Sequence, residues 1–134
     1  MIRDYTLSVI AVLAYLLLGT SLAAQTSASK NGQWMTGEEL TTLLSDGELL
    51  GLGGKGTDYK GKAKFEANGK ASGSVTFANG DVFSFKGTWE IRDNQLCRVW
   101  VGDEGEVCEK WKRTGKKSSD VFADGSKIGR NYWN

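Results

Sequence analysis

Histidine and proline are both absent from this 134-residue chain, and cysteine occurs only twice. Without histidine there is no Ser-His or Cys-His nucleophile and no imidazole metal ligand. The two cysteines, Cys97 and Cys108, lie too far apart for a Cys-x-x-Cys redox motif, and two thiolates alone make a poor zinc site. Excess charge of one sign is also missing: 17 Lys and Arg stand against 16 Asp and Glu, a net charge of +1. Nucleic-acid-binding domains carry a clear basic excess, so this balance argues against nucleic acid as a partner. The most apolar run, VIAVLAYLLLG (Val9–Gly19), is shorter than the roughly 20 residues a membrane-spanning helix needs.

That run has the form of a secretory signal: Arg3 precedes it and the small residues of SLAAQ follow it. Cleavage is expected after Ala23 or Ala24, the rival being an uncleaved N-terminal anchor. No cysteine lies near the cut, which excludes a lipid-modified bacterial lipoprotein. Residues 1–24 are thus read as the signal, 25–34 as a flexible tether and 35–134 as one domain. The mature chain of about 110 residues can fold alone with a thin margin. It keeps its charge of +1, because Arg3 and Asp4 leave together. Two cysteines in an exported chain point to an oxidising compartment, periplasmic or extracellular, and to one disulfide.

WMTGEELTTLLSDG carries a helix-start signature. Thr36 and Glu39 have capping-box spacing, Met35 and Leu40 the spacing of a hydrophobic staple, and Gly47 suits the stop. A short amphipathic helix is expected over about 37–46, with Leu40, Leu43 and Leu44 on its apolar stripe. GELLGLGGKGTDYKG then reads as a glycine-rich connector. Gly51, Gly53 and Gly56 satisfy G-x-G-x-x-G, but a strand rather than a helix follows, so the dinucleotide reading fails its context. It is no P-loop either, since Gly56 follows Lys55 where Ser or Thr is required.

From about residue 57 the chain alternates like strands joined by turns, with turn signals from Asn68-Gly69 to Asp124-Gly125. Three-residue loops at Ala67–Gly69 and Ala78–Gly80 pair Phe65 with Ala71 and Val75 with Phe83. Tyr59, Ala63, Phe65, Val75, Phe77, Phe83 and Phe85 then share one face. Two-residue turns at either Asn-Gly would split that apolar set, which decides the register. A two-residue turn at Asp93-Asn94 pairs Ile91 with Leu96, Trp89 with Arg98 and Gly87 with Trp100. The last strands use Val121 and Phe122, then Ile128 to Trp133. The expected fold is mainly β: a six- to seven-stranded antiparallel meander, strongly curved or closing to a small barrel, with one short N-terminal helix.

In GTWEIRDNQLCRVWVGDEGEVCEKW (residues 87–111), Cys-x-x-Trp occurs twice. A turn at Gly102-Asp103 sets Cys97 opposite Cys108, at disulfide distance in a non-hydrogen-bonded pair. On a strand, positions i and i+3 point to opposite faces. The sulfurs therefore lie outside with Val99, Val101 and Lys110, while Trp100 and Trp111 point inward with Leu96 and Val107. The same register turns Arg98 and Glu109 inward, diagonal to each other. Two readings follow for these charges. They form a polar anchor in an aromatic pocket walled by Trp89, Trp100, Trp111 and Tyr59, or a structural ion pair with Arg98 over Trp89.

Lys55, Lys60, Lys62, Lys64 and Lys70 cluster against only Asp58 and Glu66. They read as a solvated strand edge or as a stripe meeting anionic lipid or polymer. No carboxylate pair is singled out by spacing, and Asp103, Glu104 and Glu106 fall in a hairpin turn. Neither a catalytic residue, a metal ligand nor a cofactor is nominated, although a carboxylate or Ser/Lys hydrolase is kept as the least favoured reading.

GTWEIRDNQLCRVW followed by VCEKW resembles small exported alphaproteobacterial proteins of unknown function. In these a Gly-Thr-Trp strand precedes a turn, Leu-Cys, an aromatic residue and a second Cys. The resemblance covers residues 87–111, implies a periplasmic location and brings no activity with it. SGSVTFANGDVF (72–83) is similar to a single unit of a MORN repeat, whose hairpins can serve membrane or protein contacts, but a second clean unit is missing. The expected function is a non-catalytic exported binding or interaction module, its partner a small molecule or an envelope protein. The alternative is an envelope-associated structural protein that touches anionic lipid or polymer peripherally through the lysines.

Overall fold

Each hairpin register read from sidedness is the observed one, and together the hairpins close on themselves. In the computed structural model, which describes residues 31–54 and 58–134, eight antiparallel strands form a closed up-and-down barrel. They are β1 (Asp46–Gly54), β2 (Tyr59–Glu66), β3 (Lys70–Phe77), β4 (Val82–Arg92), β5 (Gln95–Trp100), β6 (Val107–Gly115), β7 (Ser118–Ala123) and β8 (Ser126–Tyr132). The expected signal segment, residues 1–24, and Lys55 lie outside the described residues. Closure removes every free sheet edge, the usual hazard of a meander.

The turn chemistry explains the registers. Gly69 and Gly80 take positive φ at the ends of three-residue loops, leaving Phe65 opposite Ala71 and Val75 opposite Phe83. Asp93 and Asn94 both have positive φ, as a tight two-residue hairpin turn demands, and Gly87 faces Trp100. A Cβ at Gly87 would lie 1.9 Å from the Val99 carbonyl oxygen and 2.9 Å from the Trp100 ring. Only glycine fits that approach.

Two expectations are corrected. The barrel has eight strands, not six or seven, and the strands begin at Asp46 rather than near 57. The added strand is β1, the segment read as a connector. Leu50 and Leu52 belong to the barrel interior, and Tyr132 covers Gly51 and Gly53 from outside, supplying the side-chain surface the glycines lack. β1 then pairs with β8, Gly51 opposite Tyr132 and Gly54 opposite Gly129, which closes the barrel. Of the expected tether, residues 25–30 lie outside the described residues, while Gly32 and Gln33 exchange backbone hydrogen bonds with Arg113 and Trp34 bridges Lys112 on β6.

The helix α1 (Gly37–Ser45) stops one end of the barrel. Thr36 Oγ1 accepts from the Glu39 amide while Glu39 Oε2 accepts from the Thr36 amide, a complete capping box. Gly47 follows the C-cap with φ +67°. Asn94, at the β4–β5 turn, accepts a 2.7 Å hydrogen bond from the Gly37 amide and so docks the helix start on the barrel rim. Leu40 and Leu44 then reach into the interior, where they join Met35, Leu50, Phe65, Leu96 and Trp111 in one buried cluster.

Candidate functional site

Opposite the helix, the barrel interior is not filled. A cavity of about 230 Å³ lies there, with Leu52, Val75, Phe85, Trp100 and Val121 among its walls and Phe83, Asp103 and Ile128 toward its mouth. Phe65 and Trp111 separate it from the leucines of the helix end. Eight-stranded barrels have an interior just wide enough to be packed by side chains or to hold one small ligand. This barrel does the first at one end and leaves room for the second at the other.

The polar groups of the cavity come from facing strands. Arg98 Nε on β5 donates to Glu109 Oε1 on β6 at 2.5 Å, and Trp111 Nε1 donates to Glu109 Oε2 at 3.2 Å. Both carboxylate oxygens of Glu109, a buried residue, are therefore engaged. The guanidinium lies over the Trp100 ring, 5.1 Å from its centroid. The structural ion-pair reading expects Arg98 over Trp89; the ring it covers is that of Trp100, two residues further along the same strand face. Tyr59 reaches the site from the start of β2, its ring packed over the facing glycines Gly54 and Gly129. A Cβ on Gly54 would stand 2.7 Å from the ring, and one on Gly129 3.1 Å from the hydroxyl. Burial, with the Asp58 and Glu109 charges added, pushes the Tyr59 phenol upward against the opposing effect of Arg98, so it stays protonated and able to donate.

Of the residues nominated from sequence, Tyr59, Arg98, Trp100, Glu109 and Trp111 meet in this wall. Trp89 does not. It points inward on β4 but sits at the helix end, where Nε1 donates to the Glu66 and Lys70 carbonyls and the ring meets Phe65 edge-on. Sequence reasoning missed Asn131, a buried polar residue of β8 that lines the cavity. Its direction is set by the β7–β8 ladder, where Asn131 faces Ser119, and the bulge that leaves Ile128 without a partner breaks the alternation counted from that residue.

Cys97 and Cys108 face each other across β5 and β6 with Cα atoms 4.0 Å apart and form the disulfide. The ladder ends at the Arg98–Val107 pair, and Gly102 and Gly105, both at positive φ, shape a wider loop over 101–106 than a tight turn. The sulfurs lie on the outer wall beside Arg92, which pairs with Glu90 and Glu106. Glu106 comes within 3.5 Å of Cys108 Sγ, but disulfide sulfurs offer no thiolate to a metal.

Lys60, Lys62 and Lys64 project outward from β2 and are exposed, as is Lys70. Their cross-strand neighbours are Gly51, Gly53 and Leu49 on one side and Ser72, Ser74 and Thr76 on the other, with no acidic residue among them. At the same end as Lys60, the mouth exposes Phe77, Val82 and Phe83. No protein-family model matches the chain, and no curated protein or solved structure matches it either.

Proposed function

We propose that this is an exported, non-catalytic binding protein that takes a small, largely apolar molecule into the open end of its barrel. One observation carries the reading: the cavity of about 230 Å³ persists at one end while the other end of the same interior is packed shut. An apolar cavity of about 150 Å³ accepts benzene, so this one has room for a single ring with short substituents. Binding without catalysis fits the charges, because Glu109 is held by Arg98 and Trp111 and is not free to act as a base. The disulfide and the resemblance of residues 87–111 to exported proteins support a periplasmic or extracellular place. Titration with small aromatic compounds, followed by methyl NMR, tests the reading. Shifts are expected at Leu52, Val75 and Val121 and not at Leu40 or Leu44; shifts confined to the outer surface, or none, overturn it.

A second reading keeps an observation of its own. The unopposed row Lys60, Lys62 and Lys64 runs along the outer wall from the apolar mouth, at Lys60, toward the helix end, which suits contact with an anionic bilayer surface that presents lipid-borne molecules to the cavity. Sedimentation with phosphatidylglycerol-containing vesicles should then weaken with salt and vanish in Lys60→Glu/Lys62→Glu/Lys64→Glu. Equal binding to neutral vesicles, or none to either, removes it.

A further inference from the structure

Within the small-molecule reading, on which this step rests, the polar groups of the cavity select among ligands. Arg98 uses Nε on Glu109 and its face on Trp100, yet neither terminal nitrogen has a hydrogen-bond partner among the described residues. The side chain is only 16% exposed and lines the cavity, so these N–H groups open into it. Asn131 repeats the pattern from the other side of the barrel. It is 7% exposed, lines the same cavity, and its amide has no side-chain partner among the described residues. The buried side-chain oxygen without a partner among the described residues is Ser119 Oγ; the free polar atoms of Arg98 and Asn131 are instead reached by solvent, and a ligand that displaces that water from the cavity must replace its hydrogen bonds. Two such groups aimed into one cavity mark where a ligand's polar atom belongs.

The charge balance narrows the class. Arg98 is the only cationic residue in the described wall, and Glu109 already neutralises it at 2.5 Å. A carboxylate ligand would bring a second negative charge beside Glu109 with no second cation to balance it, and buried unbalanced charge is strongly disfavoured. A hydrocarbon would strip water from Arg98 and Asn131 and give nothing back. A neutral oxygen acceptor satisfies both groups and leaves the site's net charge unchanged. We infer that the cavity takes a neutral, mostly apolar molecule bearing a carbonyl-type acceptor, read by the terminal nitrogens of Arg98 and the amide of Asn131.

Isosteric probes test this directly: acetophenone carries the acceptor, α-methylstyrene replaces the oxygen by CH₂, and benzoate replaces the neutral group by a charged one. Affinities for the intact protein are measured by methyl NMR titration at neutral pH. Acetophenone should bind about tenfold or more tightly than either of the others, the discrimination expected when buried donors are left unpaired. Asn131→Leu, which removes one of the two groups while the Arg98–Glu109 pair stays intact, should reduce that preference while keeping α-methylstyrene binding. Arg98→Met combined with Glu109→Gln, which leaves no lone charge, should reduce it further, and adding Asn131→Leu to that pair should abolish it. Equal affinity for acetophenone and α-methylstyrene overturns the inference but leaves the small-molecule reading standing. Tightest binding of benzoate overturns it in favour of an anionic class. Failure of all the probes to enter the cavity overturns the inference and the reading together.

Discussion

The two ends of the barrel are built from the same strands with the same alternation, yet only one is closed. On β4, Trp89 and Ile91 pack against the buried cluster at the helix end, while Phe83, inward-facing on the same strand, is 58% exposed at the mouth. The residue types do not explain the difference, since aromatic side chains stand at both places. The helix does. Leu40 and Leu44 cover one opening, and nothing of that kind among the described residues covers the other. Strand alternation determines which side chains face inward; a separate element decides whether the inward face becomes core or cavity wall.

The largest test of that contrast is to make the same kind of deletion at both ends. Leu44→Ala removes a side chain that is 1% exposed and should cost about 2–5 kcal/mol in urea unfolding. Phe83→Ala, though it deletes a larger group, should stay within about 0.5 kcal/mol because the mouth is already solvated. Comparable losses from the two would mean that the open end is packed in solution, and the contrast would fail.

The disulfide belongs to the wall between the ends. Replacing both sulfurs, Cys97→Ser with Cys108→Ser, frees a loop of about 12 residues and should cost about 2–3 kcal/mol. The sulfurs face outward, so cavity ligands should bind the folded variant with unchanged affinity. An affinity change as large as the stability change would show that the staple holds the site and not only the fold.

These features differ in how far the sequence reveals them. The registers of β2 to β6 were legible because each hairpin has turn residues of its own and a sidedness that one slip would destroy. The cysteine pairing followed from the same logic. β1 was not legible, because its outward positions Gly51 and Gly53 look like loop until Tyr132, some eighty residues away, is laid over them. Depth along the barrel was hidden for a similar reason. A period of two separates inside from outside but does not distinguish Trp89 at the packed end from Trp100 in the cavity wall. That assignment rests on where the helix docks, which depends on the Gly37–Asn94 hydrogen bond across 57 residues of sequence.

Loss of the helix cap gives a smaller and more local test. Thr36→Ala removes the side-chain half of the capping box and should cost about 1 kcal/mol. Hydrogen exchange should show the loss as faster exchange of the α1 amides, with β3 and β4 near the mouth unchanged. Uniform acceleration would mean that the helix and barrel open only together, and the plug would then be no separable element.

The smallest effect is expected from Asp120, which lies on the wall and belongs to neither end. Burial pushes its carboxyl upward, but the Arg130 hydrogen bond at 2.8 Å and the Lys127 ammonium at 3.1 Å outweigh it and hold the carboxyl below the usual 3.8. As pH falls, the unfolded chain takes up this proton before the folded one does. The pairing's contribution is therefore complete above about pH 4 and is lost as pH drops through the lower, folded-state value. Asp120→Asn should flatten that part of the acid limb, with an effect at neutral pH smaller than that of the cap. Because the trio is partly exposed, salt should weaken the wild-type effect as well. Helix-end exchange and mouth ligand affinity should both stay fixed in this variant. A change at either end would show that the outer ion pairs communicate with the interior, and the two ends could no longer be treated as independent of the wall that joins them.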